Sequence, residues 1–475
     1  MTQSPDALRR WMTLVVLCLG ELMIVLDTTI VNVALPSIRE DLGFSETSLV
    51  WVVNAYMLTF SGFLLLGGRL GDLFGRRRLL LLGLTIFTLA SLVCGLADSR
   101  TLLIVARAVQ GVGGAVVSAV ALSLIVNLFD EAQERAKAMG VYGFVCAGGG
   151  SIGALLGGFL TDGFGWHWIF LVNLPIGVLV FALCMTLLPI GAVQAGTRHL
   201  DLAGALTATT SLMLAVYAIV DADVAGWHSA RTIGLFCTAV LLLIAFLTIE
   251  SRVPAPLMPL GLFRVRNVAV ANLIGVFWAA GMFAWFFISA LYMQRVLGYS
   301  PLQVGLAFLP ANLIMAVFSL GLSASLVVRF GIRLPLTVGL LLAAAGLSLF
   351  ARAPADGEFA LDVLPGMVLL GCGAGMAFNP LLLAAMSDVR PDESGLASGV
   401  VNTSFMMGGA LGLAALASLA SARASARAAS AAGVLLALND GYKLAFLIGA
   451  GFAGLAAVAG ASLIRYPAPA LASYS

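Results

Sequence analysis

Three ionisable side chains stand where an apolar chain tolerates few. Glu21 and Asp27 share one long apolar run near the start, and Arg107 lies inside another. Ionisable groups deep in such a run are costly and mark function by default. At about 1.5 Å of helical rise per residue, Asp27 falls about 12 Å from the outer end of the first run. Arg107 falls about 9 Å from the outer end of the fourth, which runs the other way. Opposite charges at similar depth lower each other's desolvation cost by pairing. Protonating Asp27 breaks such a pair, which is the physical content of a proton-coupled switch. A permanent ion pair that merely locks the two runs together is the alternative. Glu21 points about 120° away from Asp27 around a helix, either into a cavity or toward the inner surface.

The runs that position these residues are membrane spans. The chain has 475 residues, of which 61% are hydrophobic and 10% charged. Mean hydropathy is +1.05. A soluble domain carries about 25% charged residues, so this chain cannot cover a water-exposed surface. A crossing needs about 20 apolar residues, and fourteen segments qualify, at 11–35, 49–68, 79–98, 101–126, 137–160, 169–189, 202–221, 232–250, 268–293, 302–328, 334–351, 361–384, 397–420 and 441–464. The first is too long for a leader core and reads as a retained span. Fourteen spans place both termini on one side. Sixteen Lys and Arg residues then fall in loops on that side, eight fall opposite, and Arg107 is inside a span. The positive-inside rule makes the terminal side cytoplasmic. An excess of Arg over Lys with abundant Ala and Gly hints at a GC-rich bacterial genome, and so at a bacterial plasma membrane.

The chain also repeats itself. DLGFSETSLVWV from Asp41 aligns with VLGYSPLQVGLA from Val296 at an offset of 255; Gly75 and Arg77 align with Gly331 and Arg333 at 256; ERAKAMGV from Glu134 aligns with ESGLASGV from Glu393 at 259. One near-constant offset implies two six-helix halves in parallel orientation. The expected parts are a first half at 11–189, an inserted helix pair with linkers at 190–267, a second half at 268–464 and a cytoplasmic tail at 465–475. The Ala/Ser-rich stretch 418–433 either prolongs the thirteenth span or forms a loop.

Between the second and third spans lies GGRLGDLFGRRRLL, from Gly67. A positive-inside turn accounts for its arginines but not for its Gly and Asp spacing. Gly68, Leu70, Asp72, Gly75, Arg76 and Arg77 resemble the loop 2–3 signature of the major facilitator superfamily. VLDTTIVNVALPSI from Val25 is similar to the first-helix motif of the fourteen-helix drug:proton antiporters in that superfamily. IVARAVQGVGGA from Ile104 resembles their fourth-helix motif, with Arg107, Gln110 and Gly111 in matching positions. WHWIFLVNLPIG from Trp166 resembles the opening of their sixth helix, with His167 where an arginine is usual. Together with PLMPLGLF and GYSPLQVGLAFLP, the likeness covers essentially the whole chain. It implies an all-α integral membrane protein of major facilitator fold, two six-helix halves plus two inserted helices. It further implies proton-driven efflux of amphipathic or cationic small molecules or antibiotics, with Arg107 in proton coupling and Asp72 with the arginines latching the halves at the cytoplasmic face. An exporter of an endogenous metabolite or a self-made antibiotic fits the same fold.

The fifth span departs from the antiporter pattern. It keeps Gly149, Gly153, Gly157 and Gly158, but Ala154 replaces the proline of that motif. Glycines four apart let a neighbouring helix approach closely, and loss of the proline removes a kink-former. Asn54, Tyr56, Gln110, Asn272, Trp278 and Trp285 are candidates to line a substrate cavity, along with Trp51 and Phe286. No acid stands within the second half's spans except near their ends, as at Asp362.

Other classes recede. The six cysteines sit singly in apolar runs and read as small buried hydrophobes. The three histidines are scattered, so no metal site is expected. A net charge of +2 argues against a nucleic-acid partner. No G-x-x-x-x-G-K-[ST] loop occurs, so ATP is not the expected energy source. The expected cofactor set is none, with protons as coupling ion, and the expected state is a monomer. No nucleophile, base and metal set of an enzyme clusters anywhere.

Overall fold

The computed structural model describes residues 5–129, 131–188, 201–253, 256–387, 389, 394–428 and 433–464. Every regular element among the described residues is helical. In the first half these are α1 (Pro5–Leu42), α2 (Glu46–Phe74), α3 (Arg76–Gly95), α4 (Arg100–Leu128), α5 (Ala132–Phe164), the short α6 (Trp168–Leu171) and α7 (Asn173–Leu187). The inserted pair is α8 (Leu202–Ala225) and α9 (Ala230–Arg252). The rest are α10 (Arg266–Leu291), α11 (Pro301–Val317), α12 (Ser323–Phe330), α13 (Arg333–Phe350), α14 (Leu364–Met386), α15 (Ser394–Ala428) and α16 (Val434–Leu463). Twelve described helices are long and apolar enough to cross a membrane, and two shorter apolar helices lie at Ile152–Phe164 and Pro301–Val317. The expected tail at 465–475, the 190–200 connection and the side chains of Arg69, Asp72 and Cys146 lie outside the described residues.

Two elements differ from a plain fourteen-span reading. The tenth span is not one helix: Gly321, at φ 132°, breaks it between α11 and α12. That backbone region is closed to side chains with a Cβ. The thirteenth runs on as helix to Ala428, so most of the Ala/Ser stretch prolongs the span. Alanine's high helix propensity is sufficient reason.

By internal packing the chain divides into Met1–Leu257 with Met293–Leu306, and Met258–Tyr292 with Ala307–Ser475. The inserted pair therefore goes with the first unit. Here α8 lies on α2, with Leu66, Ala205 and Leu257 in one cluster, and Ser211 Oγ donates to Ala239 O of α9 at 2.7 Å. The outer face of α9 exposes Val240, Leu241, Ile244 and Leu247, a lipid-facing pattern. It also exposes Cys237. That corrects the reading of every cysteine as buried; Cys18, Cys94 and Cys184 are.

Each unit has its own apolar core. One gathers Leu17, Ile24, Phe87, Val117 and Val180, the other Ile274, Trp278, Leu340, Ala377 and Leu381. The repeat reappears as packing within each unit. A Cβ on Gly113 of α4 would lie 2.6 Å from Phe87 N of α3; a Cβ on Gly373 of α14 would lie 2.6 Å from Ala343 N of α13. Gly111 presses on the backbone of Tyr56, and Gly371 on that of Ala311. Gly149 and Gly153 of α5 meet Val25 and Thr29 of α1, while Gly408 and Gly412 of α15 meet Val276 and Ala280 of α10. Even the helix ends match. Arg9 Nε donates to Leu187 O at 3.3 Å, and Arg266 Nε to Leu463 O at 3.1 Å. In both units a cation entering the first helix caps the end of the sixth span, where the dipole favours it.

Candidate functional site

The charged pair forms at the centre of the first unit. Asp27 and Arg107 have side chains 0% and 1% exposed, with Arg107 Nη1 2.5 Å from Asp27 Oδ2. Burial at this depth demands that the remaining hydrogen-bonding capacity be met. Gln110, one turn along α4 from Arg107, meets much of it. Its Oε1 accepts from Arg107 Nη1 at 2.8 Å and its Nε2 donates to Asp27 Oδ1 at 2.7 Å. Arg107 Nε donates to Val52 O of α2 at 2.9 Å. The guanidinium also lies 4.4 Å from the Tyr56 ring centre and 5.6 Å from that of Phe170, where the π faces attract it.

Two further residues complete the cage. Asn173, the first residue of α7, donates from Nδ2 to Asp27 Oδ1 at 3.0 Å and to Ser91 Oγ at 2.9 Å. Ser91 of α3 also accepts from Gln110 Nε2 at 3.1 Å and donates to Phe170 O at 3.0 Å. Cys94, one turn on, points its thiol at Gln110 Oε1 at 3.7 Å. The carboxylate thus takes three N–H donors from two helices, and five of the unit's first six spans reach the network. Ser91 and Asn173 escaped the sequence reading. Asn173 sits in the quoted WHWIFLVNLPIG motif, and an amide at the head of an apolar run is the signal that could have found it.

Glu21 does not join this network. It is buried, with Ser118 of α4 and Tyr142 of α5 beside its carboxyl group, and its Oε2 has no hydrogen-bond partner. Near the far end of α1 and α3, a pocket of about 400 Å³ is lined by Asp41, Leu42, Gly95, Leu96, Ala97, Asp98 and His167. Trp166 Nε1 donates to Asp41 at 2.9 Å, and the Trp166 and His167 rings stack at 3.8 Å.

Residues 17–413 match the Major Facilitator Superfamily. The chain belongs to the Major Facilitator Superfamily. It is 42% identical to puromycin resistance protein pur8 of Streptomyces alboniger, over 87% of this chain and 82% of that protein. It is 39% identical to cephamycin export protein CmcT of Amycolatopsis lactamdurans, over 85% and 83%. Among solved structures, the xylose transporter XylE from E. coli superposes with a TM-score of 0.65 at 16% identity, over 97% of this chain and 98% of that one. This superfamily member is a multi-pass membrane transporter, not an enzyme.

Its superfamily signature can be followed residue by residue. Gly75, at φ 92°, ends α2 and starts α3, its N–H reaching Gly71 O at 3.1 Å. Gly67 and Gly71 press on α4, whereas a Cβ on Gly68 would meet nothing within 4 Å. Arg77 Nη2 donates to Met185 O at 2.5 Å, tying α3 to the end of α7, and Arg78 is exposed. The glycines of α5 are packing residues: Gly157 lies on Ile30, and Gly158 on the Pro301 backbone. Ala154 is buried beside Gly305.

The six cavity candidates divide between the units, and all are buried. Tyr56 and Gln110 belong to the ion-pair network, and Asn54 is on the same helix as Tyr56. Asn272 donates to Val268 O at 2.8 Å. Trp278 packs against Phe405 at 5.2 Å and Phe378 at 6.1 Å. Trp285 is enclosed by Phe286 and Phe308. Outside the set, Trp51 faces Tyr217 of the inserted pair at 6.4 Å.

Proposed function

We propose that this transporter is a proton-driven exporter of amphipathic or cationic small molecules, antibiotics among them, working in the bacterial plasma membrane with both termini cytoplasmic. The observation that carries the reading is the enclosed Asp27–Arg107 pair. A buried pair of this kind is weak evidence for stability, and its natural use is as a group whose charge is changed. A proton arriving from outside neutralises Asp27 and releases it from Arg107. The arginine stays held by Gln110, by Val52 O and by the Tyr56 ring. The helix that loses its tie is therefore α1, and α1 is the element that moves. Glu21, buried and half unpartnered, is a second proton carrier on the same helix. Export as the direction of transport rests on the relatives, one a puromycin resistance protein and one a cephamycin export protein.

Ethidium and puromycin efflux from cells expressing the chain, with and without a protonophore, tests this. Efflux of both that collapses with the protonophore is the expected result. A second reading, a dedicated exporter of one compound, is favoured by relatives named for a single antibiotic. Protonophore-sensitive efflux of puromycin but not ethidium selects it. Efflux that ignores the protonophore removes proton coupling.

A further inference from the structure

The donor and acceptor inventory around Asp27 is lopsided. Asp27 Oδ1 accepts from both Gln110 and Asn173, and Oδ2 accepts from Arg107. All three are N–H donors, so all three favour the carboxylate. A neutral acid at the same place needs the opposite: its new O–H requires an acceptor. One buried acceptor is close and unused. Asn173 is 1% exposed, and its Oδ1 has no hydrogen-bond partner, although its Nδ2 touches both Asp27 and Ser91. An orphaned buried carbonyl oxygen is destabilising, which calls for an explanation.

We propose that Asn173 is a two-state positioning residue that serves Asp27 in both protonation states by turning its side-chain amide half a turn. With Asp27 ionised, Nδ2 donates to Oδ1. When a proton from the outside water bonds to Asp27 Oδ1, the amide turns. Asn173 Oδ1 then accepts the new O–H, the Nδ2 bonds to Asp27 and Ser91 are given up, and the Asp27 O–H is the one covalent bond made. Ser91 follows at little cost. Its hydroxyl leaves Phe170 O and donates to Asn173 Oδ1, while Phe170 O keeps the Val172 backbone N–H. Ser91 Oγ keeps its donor, Gln110 Nε2.

Gln110 cannot play this part. Its Oε1 accepts from Arg107 and faces the Cys94 thiol; turning it would set an NH₂ group against a guanidinium. The amide on α4 is therefore fixed by charge, and the amide on α7 is the one free to exchange. The titratable and charged groups around the pair are Arg107 on α4, Tyr56 on α2, Cys94 on α3 and Glu21 on α1. None of them offers Asp27 Oδ1 a bonded acceptor in this arrangement. The consequence is directional. Proton arrival is registered on α7 as well as α1, because the bond between these helices changes from N–H···O to O–H···O.

This inference rests on Asp27 as the proton carrier, and the test separates the two. Acid-minus-alkaline infrared difference spectra are recorded on the purified full-length protein in liposomes, together with Asp27→Asn and Asn173→Ser. The expected wild-type spectrum pairs a protonated-carboxyl band with a side-chain amide band that shifts on isotopic labelling of asparagine. Both disappear in Asp27→Asn, and only the amide band disappears in Asn173→Ser. A carboxyl band belonging to Asp27 without any coupled asparagine signal overturns the role of Asn173 and leaves the proton site intact. A carboxyl band that survives in Asp27→Asn overturns the proton site itself.

Export against external pH supplies the functional arm. Asn173→Leu removes donor and acceptor together, so maximal export falls about tenfold, equivalent to about 1.4 kcal/mol, with little movement of the pH midpoint. Asn173→Ser, which can donate and accept, restores most of the rate. A midpoint moved upward with an unchanged maximum identifies Asn173 as a fixed donor and overturns the exchange.

Discussion

The two units are built on the same glycine contacts and filled with different chemistry. Gly113 on Phe87 and Gly373 on Ala343 are the same contact made twice, and so are Gly149 on Val25 and Gly408 on Val276. Counting along the matched helices from these glycines, Asp27 falls opposite Trp278, Arg107 opposite Met367, Gln110 opposite Leu370 and Ser91 opposite Leu347. A charged, hydrogen-bonded network in one unit is replaced by an aromatic and aliphatic core in the other. Close helix approach is thus a requirement of the architecture. The ionisable network is not: among its described residues the second unit packs without one. A feature that the fold can do without, yet keeps at the cost of burying two charges, is a candidate for function.

The comparison breaks most visibly at its polar centre. Asp27→Asn is expected to abolish export against a gradient while the protein still inserts, since Arg107 retains Gln110, Val52 O and Tyr56. The counterpart change, Trp278→Phe, is expected to leave coupling intact. Drug accumulation by inverted vesicles under an imposed proton gradient measures both. Loss of coupling in both variants would mean that the units do not divide the work in this way.

A smaller and symmetric effect is expected at the glycines. Gly113→Ala and Gly373→Ala place a Cβ 2.6 Å from a backbone nitrogen in each unit. Overpacking costs about 1–3 kcal/mol, more than the gain of up to about 1 kcal/mol in helix propensity. Thermal unfolding in detergent should fall by similar amounts for the two. A large asymmetry would show that one unit repacks and the other does not. The least effect is expected at the helix ends. Arg9→Ala and Arg266→Ala each remove an exposed cap to a terminal carbonyl, worth about 0.3–1 kcal/mol. The same unfolding assay, at low and high salt, should show both losses shrinking as salt screens the dipole.

Much of this was legible in the chain. Asp27 and Arg107 announced themselves because a charge inside an apolar run is costly, and helix rise alone placed them at similar depth, where they pair. Gln110 was visible as part of a motif, but its bonds to both charges were not. Asn173 and Ser91 were missed because an Asn at a helix start reads as a cap and a Ser within a span can satisfy itself on its own backbone. The signature glycine Gly68 drew notice by its spacing, while Gly67 and Gly71 make the contact with α4.

The amino-acid sequence by itself determined the membrane class, the number of apolar segments and the doubled architecture. These depend on local hydrophobicity and on spacing along the chain. Only the tertiary structure decided which faces of α1, α3, α4 and α7 turn toward one another. It also decided that Gly321 splits the tenth span and that one amide beside Asp27 has its oxygen bonded to a guanidinium while the other leaves its oxygen unpartnered. Helix rotation is set by packing against neighbours, and a hydrogen bond is a property of two partners, so neither is written in any single segment.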